Sequence, residues 1–328
     1  MAGDGGSMIL KNIYLKRLAQ ITFIGLFLFF ISRHFLSHGD ELHIITRVHI
    51  ANLAVLALLV IGLNICYAYK LFLILRKLGL AELGKLDWLR IFWISRFFNL
   101  YITQGGNIYR SIELKREYNF PYTKSISLMT FFTWLETITF FCLAFLLIVV
   151  LAPQTTIRAF SVPGFIFIAT VIIIILPFLA HRWINRSSSR NTYLKWVWQK
   201  LCDLTGYFKA SMTDGYLMLK ITILNIISFF IHVGLIWNCF QALDIHISLI
   251  ETILFAIVIR LTTIVMIVPG NVGLVEWFGG LFTNLLGLPL GSGIIATALG
   301  RIVEFFVINF FGVIFLNPFS KRKKNINK

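Results

Sequence analysis

Charge is what this sequence has least of. Aspartate and glutamate fill 14 of 328 positions, and charged residues of both signs make up only 13% of the chain. A soluble domain of this length needs far more charge on its surface, so a water-exposed globule is excluded. Proline (7) and cysteine (4) are also sparse. The cysteines, Cys66, Cys142, Cys202 and Cys239, are scattered within or beside apolar stretches. None has C-x-x-C or Cys/His spacing, so nothing points to zinc or dithiol redox chemistry, and they read as small apolar fillers. A Walker loop, a nucleophile elbow and H-E-x-x-H are missing, which leaves ATP use and soluble-type hydrolysis unsupported. No cofactor or metal is expected.

What the sequence does have is apolar length. Hydrophobic residues make up 58% and mean hydropathy is +0.83. Several runs reach the roughly 20 residues that cross a bilayer. Backbone in lipid must satisfy its own hydrogen bonds, so the expected fold is an all-α polytopic membrane protein. Candidate spans lie at about 18–36, 50–69, 125–152, 161–180, 216–238, 248–268 and 293–317. With a broken helix near 269–290 they make about eight crossings, plus a re-entrant or interfacial segment near 91–104. The first run lacks a small-x-small cleavage pattern in "SRHFLSHGD", so it reads as an anchor rather than a signal peptide. The expected organisation is a cytoplasmic tail (1–17), one transmembrane domain (18–318) and a basic cytoplasmic tail (319–328). Within the domain, an amphipathic cytoplasmic connector spans 183–213, where Leu194, Val197, Leu201, Leu204 and Phe208 recur at helical spacing. It would lie against anionic lipid headgroups at the cytoplasmic face.

A net charge of +16 invites a nucleic-acid reading. Here, however, the basic residues punctuate apolar runs instead of clustering beside readable motifs, so no nucleic-acid partner is expected. Placing the five basic-rich segments (the N-terminus, 70–90, 105–124, 181–213 and 321–328) inside makes 23 of 30 Lys and Arg cytoplasmic. The expected location is the cell (plasma) membrane, multi-pass, with both termini cytoplasmic. Segment 91–104, "IFWISRFFNLYITQ", then has basic segments on both flanks and should dip and return. The stretch "IVPGNVGLVEWFGG" (267–280) either crosses as a short broken helix or turns a hairpin entering from outside. Either way it is irregular backbone at membrane depth, which only protein or a water-filled cavity can cover.

Arg96, Glu136, Arg260, Glu276, Arg301 and Glu304 fall within apolar segments. Left unpaired, each would cost roughly 2.5–3.5 kcal/mol at a helix centre. They must pair, line water or sit near an interface. Arg301 and Glu304 share a helix face. "QGGNIYR" (104–110) and "VPGNVGLVE" (268–276) each set a Gly-Asn dipeptide and a charge at an interrupted apolar segment. Paired interruptions of this kind point to a transporter site, and broken helix N-termini favour anions such as phosphate.

These residues also carry a family resemblance. "IVPGNVGLVEWFGGLFTNLLGLP" and "ATALGRIVEFFVINFFGVI" resemble the C-terminal part of the lysylphosphatidylglycerol synthase transmembrane (flippase-like) family. Its P-G-x-x-G-x-x-E signature and later Arg fall on Pro269, Gly270, Gly273, Glu276 and Arg301. "NLYITQGGNIYRSIELK" resembles a second family stretch at Asn99, Gly105, Gly106, Arg110 and Leu114. Asn271 stands where the family has a second glycine, the proline expected after Asn99 is absent, and Thr137 replaces an Arg after Glu136. These departures bear on headgroup identity more than on fold. No aminoacyl-transferase segment precedes the final "KRKKNINK". The resemblance therefore implies lipid translocation, or service to a lipid-linked glycan pathway.

The first expectation is a flippase-like transporter of an anionic or polyprenyl-phosphate-linked lipid, with no catalytic residues. Arg96, Arg110, Arg260 and Arg301 would handle phosphate. Glu136 and Glu276 would balance the cavity or take up protons, Glu304 is a further candidate substrate-binding residue, and the turns at Asn99, Gly105, Gly106, Pro269, Gly270, Asn271 and Gly273 would offer backbone donors. A second is a membrane glycosyltransferase using Asp40 or Glu41 of "SHGDELH", beside interfacial histidines His34, His38, His43 and His49. A third is a non-catalytic partner of a synthase or glycosyltransferase.

Overall fold

The computed structural model describes residues 22, 25–154, 156–157, 160–186, 215–264 and 269–316. The expected N-terminal tail, the connector beyond residue 186 and the basic tail lie outside the described residues. The described chain is helical apart from a short antiparallel ribbon, β1 (Thr156–Ile157) and β2 (Phe160–Ser161). In order the helices are α1 (Gly25–Ser37), a 3-10 helix (Gly39–Arg47), α2 (Ile50–Lys77), α3 (Lys85–Tyr101) and α4 (Gly105–Tyr118). Then come α5 (Tyr122–Leu151), α6 (Val162–Arg186), α7 (Gly215–Gln241), α8 (Leu249–Ile264), a 3-10 turn (Pro269–Asn271), α9 (Leu274–Leu285) and α10 (Leu290–Leu316).

Four described segments are long and apolar enough to cross a membrane: α2, the Phe131–Leu151 part of α5, α7 and α10. At 1.5 Å per residue, even the shortest of them reaches about 30 Å. Their outer faces carry large exposed apolar side chains such as Leu58, Phe230, Phe306 and Phe310, as lipid contact requires. α1 and the Val162–Ile175 stretch of α6 are apolar but shorter. The chain is thus an α-helical membrane protein, and its four membrane-length helices among the described residues do not amount to the eight expected crossings. Two expected spans turn out to be the arms of one hairpin.

That hairpin is α8–α9. Phe255 meets Phe282 (ring centroids 6.0 Å apart), and the Asn271 carboxamide donates to the Thr262 carbonyl (3.1 Å). Ascending α8 and descending α9 are therefore antiparallel. α9 packs along the first half of α10, where Gly279 and Gly293 let the two backbones touch: a Cβ on Gly293 would fall onto the Gly279 carbonyl oxygen. Of the two readings of 269–290, the structure has the hairpin.

α3 and α4 form the second hairpin. A Cβ on Gly106 would fall onto the Ser95 carbonyl oxygen, so glycine is what lets the arms close. α3 runs antiparallel to α10, with Trp93 stacked on Phe311 (4.4 Å) and Tyr101 bonded to Asn309 (2.6 Å). It stops beside the middle of α10. Segment 91–104 therefore forms one arm of a helical pair that folds back on itself. Its returning arm is α4, so Arg110 is not in a solvated connection.

The hairpins enter from opposite ends. α2 ends at Arg76 and Lys77, capped by Gly79 (φ +109°) and a Leu80 N–H to Leu75 carbonyl bond (3.1 Å). Nearby, Lys124 at the start of α5 donates to the Leu78 carbonyl (3.0 Å), so α3–α4 opens at this basic end. α7 is antiparallel to α2, with Gly62 against Ile231 and Lys70 against Asn225, which carries α8–α9 to the other end.

Candidate functional site

Both hairpin tips meet α10 at its centre, where Arg301 and Glu304 are the twelfth and fifteenth of 27 residues. The tip of α8–α9 is a run of left-handed backbone: Gly270 (φ +59°), Asn271 (φ +53°) and Gly273 (φ +84°). Asparagine is among the few side chains that tolerate that region, which explains how Asn271 can occupy a glycine position. Its Nδ2 donates to Thr262, tying the turn to the end of α8. Pro269 opens the 3-10 turn. Gly273 lies where a Cβ would meet Phe27 of α1, and its N–H donates to Glu276 Oε2 (2.7 Å). Glu276 thereby caps the N-terminus of α9, a favourable place for a carboxylate.

Arg301 holds this tip. Its Nη1 donates to the Asn271 carbonyl (3.1 Å), its Nη2 to the Gly270 carbonyl, and its Nε lies 3.3 Å from Glu276 Oε1. The two charges of the sequence signature, Glu276 and Arg301, are thus paired. Glu304 does not pair with Arg301 but with Arg96 of α3, Nη2 to Oε1 at 2.6 Å. The reason is angular: Arg301 turns toward the α8–α9 tip, while Glu304 faces α3.

The other tip is built around Asn99. Its Oδ1 accepts the Gly106 N–H (2.8 Å), satisfying a free donor at the start of α4. Gln104, in the left-handed region at φ +64°, accepts from the Asn107 carboxamide, and Gly105 follows in the same turn. Arg110 is 6% exposed and donates to Asn107 Oδ1 (2.6 Å), while its Nε has no partner among the described residues. No carboxylate lies within ion-pair distance of it among the described residues. The turn Pro269–Asn271 packs against α3, so the two interrupted stretches are brought together.

Glu136 and Arg260 stand apart from this tip centre. Glu136 Oε1 is 3.5 Å from Lys70 and Oε2 is 3.5 Å from Arg260, whose Nη2 donates to Thr137 Oγ1 (3.1 Å). Thr137, which takes the place of the family's arginine, thus seats a different arginine. Lys70 was expected in the basic connection 70–90, yet it is 0% exposed inside α2 and bonds Asn225 Oδ1 (3.0 Å). One signal pointed to this, because apolar "LFLIL" continues for five residues beyond Lys70. Tyr67, Asn225 and His232, which line the same centre, carried no such signal.

The tip centre therefore holds Arg96, Arg110 and Arg301 against Glu276 and Glu304, a surplus of one positive charge among the described residues. It is open at one side: Arg96 is 29% and Glu304 40% exposed, although both lie level with the middle of a membrane-length helix. On the adjoining face of α10, Leu299, Ile302, Val303 and Phe306 face Val48 and Leu53 across an apolar groove.

Comparison with known proteins gives one family: the model described as the lysylphosphatidylglycerol synthase TM region matches residues 17–312. No curated protein and no solved structure matches the chain.

Proposed function

The chain belongs to the lysylphosphatidylglycerol synthase TM region family, and from that premise we propose that it moves an anionic or polyprenyl-phosphate-linked lipid between leaflets. One observation carries this reading. A partly exposed ionic centre with one surplus cation lies at mid-membrane depth beside an apolar groove. Exposed charge at that depth is costly unless water or a polar ligand meets it. A phosphate headgroup supplies the missing negative charge, and its hydrocarbon tail fits the groove. Arg96, Arg110 and Arg301 would contact the phosphate, Asn99 and Asn271 would hold the turns, and Glu276 and Glu304 would set the net charge.

The architecture suits such a task. Helices interrupted near the midplane, entering from both sides, are a recurrent transporter design. In this reading α1, α2, α5, α6, α7 and α10 cross, while α3–α4 and α8–α9 dip without crossing. The basic end would face the cytoplasm of a cell membrane, by the positive-inside tendency, and anionic headgroups would meet it there.

The test is leaflet exchange of labelled phospholipids and polyprenyl phosphates in reconstituted vesicles. Exchange above protein-free vesicles supports the proposal, and equal rates for every lipid sink it. The glycosyltransferase reading is less favoured because Glu41 is otherwise engaged. Its Oε2 bonds His34 Nε2 (3.0 Å), and its side chain lies over Gly291 at the start of α10.

A further inference from the structure

The second ionic centre, Lys70–Glu136–Arg260, is largely buried and takes no part in the lipid contacts proposed above. It too carries one cation more than it has carboxylates. Lys70 Nζ has Asn225 at 3.0 Å and Glu136 at 3.5 Å, with the Tyr67 and Phe132 rings 4.6 and 5.3 Å away. Glu136 is thus shared between two cations and cannot neutralise both. Remove one proton from Lys70 and what remains is a neutral Glu136–Arg260 pair.

Beside this centre lies a cavity with room for about one water. Glu136, Tyr67 and Arg260 face it, along with Asn225, Ser228 and His232. Glu136 in the lining disfavours a small anion as occupant, since the carboxylate would repel it. Water suits both the carboxylate and the guanidinium. His232 Nε2 has no hydrogen-bond partner among the described residues, which is costly for a buried nitrogen unless water reaches it. Asn225, which touches Lys70, and His232 are seven residues apart on α7, about 10 Å along the helix. Lys70 lies toward the basic end and His232 toward the opposite one; the cavity touches Glu136 and His232, and Glu136 in turn reaches Lys70.

We propose that this centre is a proton-exchange site, in which Lys70 gives up and regains a proton through Glu136 and a water in the cavity. In the outward step a Lys70 N–H bond breaks, its electron pair stays on Nζ, and an O–H bond forms on Glu136 Oε1. Glu136 then passes the proton to the water, forming hydronium, which hands it to His232 Nε2. The groups acting on Lys70 are Cys66 and Tyr67 of its own helix, Glu136 of α5 and Arg260 of α8, with His232 of α7 across the cavity. Arg96 of α3 acts on Tyr67. α10, also packed on α2, carries Arg301 and Glu304, which are held in the pairs described above. Coupling of this exchange to lipid movement rests on the transport reading, whereas the exchange itself does not.

Two measurements separate them. In lipid nanodiscs, protein carrying 15N-labelled lysine side chains gives a Nζ signal identified by its loss in Lys70→Met. The site predicts that this signal takes both ammonium and free-amine forms across the pH range in which the protein stays folded. A single form throughout overturns the proposal, as does a change that follows chloride at fixed pH, which would mean a halide site. In vesicles, an imposed proton gradient should change the rate of wild-type lipid exchange, and that dependence should be lost in Lys70→Met. Wild-type exchange indifferent to the gradient overturns the coupling while leaving transport intact. No exchange at all overturns transport and leaves the spectroscopic result to decide the proton site.

Discussion

At Gly106 and Arg301, single residues set how closely backbone and charge approach. Gly106 allows α4 to sit on the Ser95 carbonyl. Gly106→Ala should destabilise the hairpin by about 1–3 kcal/mol, as overpacking does, and lower the thermal midpoint. Gly105→Ala should be milder, because its nearest neighbour is the Ile102 side chain rather than backbone. Asn271→Gly should leave stability nearly unchanged, since glycine accepts the left-handed backbone while giving up one bond to Thr262. Asn271→Val should cost more than 1 kcal/mol, because a β-branched residue is strained there and the bond is lost as well. Guanidinium denaturation or thermal melting in mild detergent ranks these variants. The sequence marked Gly106, Asn271, Glu276 and Arg301 because glycine, asparagine and charge are anomalous in apolar runs. It hid the burial of Lys70 and Arg110, since a basic residue near a run's end looks the same whether it snorkels or folds inward.

Among the elements, the hairpins hold the most information. Arg301 pins the α8–α9 tip through two carbonyls and Glu276. Bonds to charged groups are worth about 1.5–3 kcal/mol each. Arg301→Gln should therefore speed amide hydrogen exchange at 269–276 by about tenfold or more, with little change in α7. Uniform exchange across the two proteins would show that the tip is held by packing alone. Charge flanking let the α3 dip be read from sequence, because crossing there would have reversed the side of later basic segments. The α8–α9 turn could not be settled the same way, since the 239–247 connection holds no Lys or Arg. Hydropathy alone made two spans of it, because the arms of a buried hairpin are as apolar as crossing helices.

For the whole molecule, fold class and family were legible because composition, run length and two short motifs agree. Most of the pairing was not, since the partners are far apart in sequence: Arg96 with Glu304, and Lys70 with Glu136 and Asn225. Only the fold brings them together, and it sorts the charges of the apolar segments, with Lys70 and Arg110, into two centres with one surplus cation each. The proposed transport depends on the open centre. Its most direct test is leaflet exchange of a labelled anionic phospholipid in vesicles holding wild-type protein, Arg96→Gln or Arg301→Gln, with folding checked by melting. Wild-type exchange should run well above protein-free vesicles and fall by about tenfold or more in each folded variant, as expected where one charged contact is removed. Folded variants that match wild type, or a wild type no faster than empty vesicles, would contradict that expectation.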